Sequence, residues 1–140
     1  MSTELRASSS EQLVIAGEMM AQNYKDLIAG QKAMHLVNAG CEATDTFPQR
    51  ETYSLTDQIR RASVPIPGNL SEGKAHCSKR EFIHSLRRGR ASLAELETQV
   101  LIAQRRNDLS EIQAADLLKQ AEEVSRILSG LINSLKEQAP

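Results

Sequence analysis

Residues 53–82, YSLTDQIRRASVPIPGNLSEGKAHCSKREF, join an amphipathic run to a proline break, a glycine and the cap of a further helix. From about Glu51, Leu55, Ile59, Ala62 and Ile66 recur at three and four and share one helical face. Pro65 and Pro67 then remove two backbone donors, at about 3 kcal/mol each in an unbroken helix. A break between Val64 and Pro67, with a kink of more than about 20°, is the expected result. Gly73 is positioned as a left-handed stop. Ser78 and Glu81 have the spacing of a capping box, so a further helix is predicted from Lys79.

The regular seams lie C-terminal to this stretch. Phe82, Leu86, Gly89, Leu93, Leu96, Val100 and Ala103 alternate steps of four and three. Asn107 and Asp108 interrupt the pattern, Ser110 and Gln113 repeat the capping box, and Leu117, Ala121, Val124, Leu128, Leu131 and Leu135 form a second seam. On the N-terminal side, residues 24–47 read as a helix with Leu27, Ala33, Leu36, Val37, Gly40 and Ala43 on one face, ended by Pro48. Residues 1–23 are Ser-rich and then mildly apolar, an arm or a short helix. The predicted fold is all-α: an antiparallel up-down four-helix bundle over residues 24–138, its second helix kinked at Pro65 and Pro67.

Composition agrees. A chain of 140 residues, 40% hydrophobic but only 3% aromatic and without Trp, must fill its core with Leu, Ile, Val and Ala, as helical bundles do. No apolar run approaches the roughly 20 residues that span a bilayer, and the N-terminus lacks a signal-peptide pattern, so a cytoplasmic protein is expected. Cys41 and Cys77 are the only cysteines and form no C-x-x-C pair, which predicts two free thiols. The net charge of −1 conceals a basic middle and an acidic C-terminal third.

Projected at 100° per residue, Arg80, His84, Arg87, Arg88, Arg105 and Arg106 fall opposite the leucine seam of the third helix. Together with Arg60 and Arg61 they are the candidate nucleic-acid-binding residues. A solvated face explains such a stripe equally well, and no aromatics are interleaved to stack on bases. Val64 and Ile102 also point outward and are the candidate oligomer contacts. His35, His76, His84, Cys41 and Cys77 lack the spacing of a metal motif. Neither Glu95 with Glu97 nor Glu122 with Glu123 shares a helical face, and GKAHCSK is not a phosphate loop. No catalytic, metal-binding or cofactor-binding residues are expected.

Several segments carry a resemblance to a known family: YKDLIAGQKAMHLV, T-x-x-FP from Thr44 to Pro48, YSLTDQIRRASVPIPGNLSEG, SKREFIHSL and SLAELETQ. They closely resemble the bacterial 23S ribosomal RNA intervening-sequence proteins, whose relatives include the accessory variability proteins of diversity-generating retroelements. The similarity runs over about residues 24–135, and the combination of QIRRA, P-x-N-x-x-EG and ELETQ is specific. Arg60, Arg61, Asn69, Glu72 and Gly73 fall on the most recognisable motif, and Glu95, Glu97 and Gln99 on the second.

The resemblance implies a non-enzymatic four-helix bundle assembled as a homopentamer. It also implies a basic surface for RNA or DNA and, in the retroelement branch, a reverse transcriptase partner. Family members usually have Trp near Gly30, an aliphatic–Tyr pair near Gly40 and Cys41, a small residue at Pro65, and Ile-Ala-x-Gly where this chain has Arg88 to Ala91. Lighter packing of the first helix follows from the missing aromatics. A structural or protein-adaptor bundle without nucleic-acid binding is the competing expectation.

Overall fold

A computed structural model describes the backbone of residues 8–51, 54–75 and 78–137, and their side chains except at 14–25, 51, 72, 74 and 75. His76 and Cys77 therefore lie outside the described residues. The described residues form five α-helices and no strand: α1 Ser9–Asp45, α2 Leu55–Ser63, α3 Pro65–Ala75, α4 Lys79–Arg105 and α5 Glu111–Glu137. A short 3-10 turn, Gln49–Glu51, follows α1.

Local chemistry sets most of these boundaries. At the start of α1 the Ser8 hydroxyl accepts from the Glu11 amide while the Glu11 carboxylate accepts from the Ser8 amide, a complete capping box. The helix begins well before Tyr24, the expected boundary, and runs on to Asp45. The expected cap at Ser78 is present, its hydroxyl accepting from the Glu81 amide at 3.3 Å. Ser110 and Gln113 form both halves of their box, each bond 3.1 Å. The second helix starts at Leu55 rather than near Glu51, with the 3-10 turn occupying the residues between Pro48 and the two undescribed positions.

Between α2 and α3 the ladder loses two donors. Val64 is itself helical in φ and ψ, and its amide still reaches the Arg60 carbonyl at 3.0 Å. Pro65 and Pro67, however, have no amide to offer the carbonyls of Arg61 and Ser63. The interruption falls at Val64, within the expected segment.

Burial fills the interior with aliphatic side chains. On α4 the buried set is Ser85, Leu86, Gly89, Leu93, Leu96, Val100 and Ala103; on α5 it is Ala114, Leu117, Ala121, Val124, Leu128, Leu131, Ile132 and Leu135. On α1 the buried stripe is Ala29, Ala33, Leu36, Gly40 and Ala43. Leu27, expected on this face, is 58% exposed. It lies two residues from Ala29, about 200° around the helix, so the stripe that buries Ala29 turns Leu27 to solvent. Phe47 and Phe82 pack against the core from its margins.

Helices α2 and α3 both pack on α1 and on α4, while α5 packs on α1 and α4. Contacts across the pairs run in opposite numerical order. Gln99 bonds Gln58 while Gly73 lies against Ser85, and Arg60 bonds Asp45 while Gly40 faces Ser63.

Gly73 is not the left-handed stop expected of it. No described glycine has positive φ, and Gly73 is buried within α3. A Cβ there would sit 2.7 Å from the Ser85 Cβ, so the residue is set by close approach of α3 to α4. The left-handed residue is Asn107, at φ 62°. Its amide reaches the Gln104 carbonyl and that of Asp108 reaches Ala103, at 3.0 and 2.9 Å, the two bonds of a Schellman closure that ends α4.

Candidate nucleic-acid interface

Helix α4 presents its charges as the seam requires. With Leu86, Leu93, Leu96 and Val100 inside, Arg80, His84, Arg87, Arg88, Arg105 and Arg106 are all exposed. They do not form one continuous patch. At 1.5 Å per residue Arg105 stands about 37 Å from Arg80 along the axis, and the exposed positions between the clusters include Ala91, Ala94, Glu95, Thr98, Leu101 and Ile102. The basic surface is therefore divided between the two ends of α4.

At the N-terminal end, the first turns of α4 and the last turn of α5 enclose an open groove of about 820 Å³, whose lining includes Lys79, Arg80, His84, Arg87 and Lys136. Among the described residues, Glu81 is its one acidic lining residue and Ile83 its apolar one. Arg88, beside it, donates to the Ser85 hydroxyl at 3.3 Å. Among the described residues, ion pairs engage Lys32, Arg50, Arg60, Arg61, Arg106 and Arg126, and none engages Arg80, Arg87, Arg105 or Lys136. Those four cations keep their charge available to an anion.

At the other end, Arg105 is exposed, but Arg106 is turned to the corner between α4 and α5. Its Nε lies 3.8 Å from Asp108, and Arg50 reaches the same carboxylate at 3.3 Å. The Asp108 side chain is 1% exposed, whereas Arg50 and Arg106 are mostly in water. A buried carboxylate needs such cations close by, so this pair serves the corner first.

Arg60 and Arg61 stand apart on α2. Arg60 donates to the Thr44 hydroxyl at 3.0 Å and to Asp45 at 2.9 Å, tying α2 to the end of α1, and Arg61 pairs with Asp57 at 2.9 Å one turn away. Of the seven arginines singled out, the structure gathers Arg80, Arg87 and Arg88 at one end of α4 and Arg105 and Arg106 at the other. Lys136 was missed because it lies 56 residues from Arg80; only the packing of α5 on α4 brings it there. The pairing of Arg50 with Asp108 is equally non-local.

Val64 and Ile102 are exposed at 53% and 40%, and Leu101 at 48%. An apolar groove of about 670 Å³ runs between α1 and α3, with Leu27, Met34, Leu70 and Phe82 in its lining. On the α1–α5 side Lys32 bonds Glu123, which holds that carboxyl below the usual carboxylate range. Among the described residues no three His, Cys, Asp or Glu side chains gather as a metal site, and no helix is long and apolar enough to cross a membrane.

These features define a class: an all-helical protein whose most distinctive surface is a divided row of arginines along one helix. Residues 25–130 match the family model of the 23S rRNA-intervening sequence protein, and the chain belongs to that family. Among solved structures it is similar to a protein of unknown function from the S23 ribosomal protein family of Bacteroides thetaiotaomicron, with 18% identity and a TM-score of 0.73. That likeness covers 78% of this chain and 98% of the other, and concerns the fold. No curated protein matches the chain.

Proposed function

We propose that this protein is a non-enzymatic, cytoplasmic, oligomeric bundle that binds nucleic acid through the arginines of α4. The observation that carries this reading is that Arg80, Arg87 and Arg105 of α4, and Lys136 beside them, are exposed cations without a carboxylate partner among the described residues. Contacts of this kind are made to phosphates, so binding is tolerant of sequence and falls steeply with salt.

The architecture belonging to this reading is an up-down four-helix bundle in which α2 and α3 form one kinked column. The opposite numerical order of the interhelix contacts supports that topology. Assembly, a pentamer by family resemblance, uses exposed apolar surface away from the arginines of α4, Val64 first. The kinship with accessory variability proteins of retroelements rests on the sequence motifs around QIRRA and ELETQ.

The test is a gel shift at low salt with mixed RNA and DNA. Wild-type protein retains both, and Arg80→Glu with Arg87→Glu weakens retention without loss of helicity. Absence of any retention by the wild-type protein overturns the reading in favour of a protein adaptor, for instance a reverse transcriptase partner. The apolar α1–α3 groove gives that alternative its surface.

A further inference from the structure

We infer that the ligand of α4 is a double helix lying along it, held at two backbone crossings one helical turn apart; this rests on the nucleic-acid reading above. Arg80, Arg87 and Arg105 are exposed and pair with no described carboxylate. Seven residues separate the first two and eighteen the last two, so all three fall within about 20° of one line on the helix surface. Along that line Arg87 is about 10 Å from Arg80, and Arg105 is about 27 Å from Arg87 and about 37 Å from Arg80. One turn of a DNA duplex is about 34–36 Å, within the span between these two distances.

The surface between the clusters makes the same distinction. Ala91, Glu95, Thr98 and Ile102 lie near the same line, all exposed, and none is basic. A single strand would carry phosphates past this neutral and acidic middle and find no aromatic ring for its bases. A duplex keeps its bases stacked and presents backbone to one line only at intervals, leaving a groove over Glu95. The interrupted pattern of charge therefore fits the periodic backbone of a duplex better than the even backbone of a single strand. Ile102 shares this face, so a duplex bound here leaves Val64 as the apolar assembly contact.

Length dependence tests the inference. Fluorescence anisotropy at low salt with the full chain would compare duplexes of about 8 and about 16 base pairs, since about 11 pairs at 3.4 Å each cover the distance from Arg80 to Arg105. Single strands of the same sequences and matched RNA duplexes complete the set. The longer duplex should bind about tenfold more tightly than the shorter after correction for overlapping sites, because the second crossing engages intramolecularly. Single strands should show no such step.

Arg105→Glu should abolish the step while leaving the shorter duplex within about twofold, and Arg105→Lys should restore it. Arg80→Glu with Arg87→Glu should weaken both lengths. Circular dichroism of each variant reports whether the helices persist. A step with DNA alone or RNA alone identifies which duplex is the ligand. Affinity rising smoothly with length, a step that survives Arg105→Glu, or an equal step for single strands would overturn the duplex arrangement while leaving nucleic-acid binding intact. No retention of any ligand would overturn the underlying reading together with this one.

Discussion

The corner between α4 and α5 and the break between α2 and α3 both interrupt a helical pattern, and they are stabilised in different ways. At the corner, Asn107 takes the left-handed conformation, two amides close on Gln104 and Ala103, Ser110 and Gln113 cap the next helix, and Asp108 and Leu109 are buried beneath. The Ala103 and Gln104 carbonyls at the end of α4 and the Ser110 and Gln113 amides at the start of α5 all find local partners. At the break, Pro65 and Pro67 only remove donors. What holds α2 and α3 there is Ile59, Ser63 and Ile66, all within 1% of complete burial, and the contact of both helices with α1 and α4. A turn can be specified locally, whereas a proline break takes its direction from what packs on either side.

The strongest attempt to break this contrast is Gly73→Val, on the far side of the break. The added side chain meets Ser85 at the α3–α4 contact, and overpacking of this kind should cost about 3 kcal/mol in urea denaturation. A neutral outcome would show that α3 is not held by its packing. Next is Asp108→Ala, which removes the buried carboxylate that accepts from Arg50 and faces Arg106 and should lower stability by about 2 kcal/mol. A loss no larger than that of an exposed aspartate would deny the corner its buried anchor.

Asn107→Ala should cost about 1 kcal/mol by thermal denaturation, while Asn107→Gly should be neutral or stabilising, because only the alanine resists positive φ. Equal effects of the two would refute the left-handed closure. The smallest effect is expected for Pro65→Ala. A donor returns to the Arg61 carbonyl, and stability should change by less than about 1 kcal/mol because the flanking packing is unaltered. Amide exchange at position 65 would show whether the restored bond forms.

Much of the helical content was legible in residues 78–137. Heptad-like spacing and two Ser-led caps specify α4 and α5, and that same spacing turns Arg80, Arg87, Arg88, Arg105 and Arg106 outward. These are consequences of a 3.6-residue period and of hydrogen bonds between residues three apart, so they need no knowledge of the rest of the chain. Less was legible in α1. Its apolar residues are sparse and small, and two phases compete; only contact with α2, α3 and α5 selects the one that buries Ala29 and exposes Leu27.

The sequence by itself therefore determined where the long helices run, where α4 and α5 begin, and which arginines of α4 face water. Tertiary structure decided that Gly73 is a contact point rather than a stop, that Arg60 and Arg50 are fastened to Asp45 and Asp108, and that Lys136 joins Arg80 in one groove. The physical reason is range. Periodicity and capping act over three or four residues, while close approach, ion pairing and shared grooves depend on the register between helices distant in the chain, which packing alone establishes.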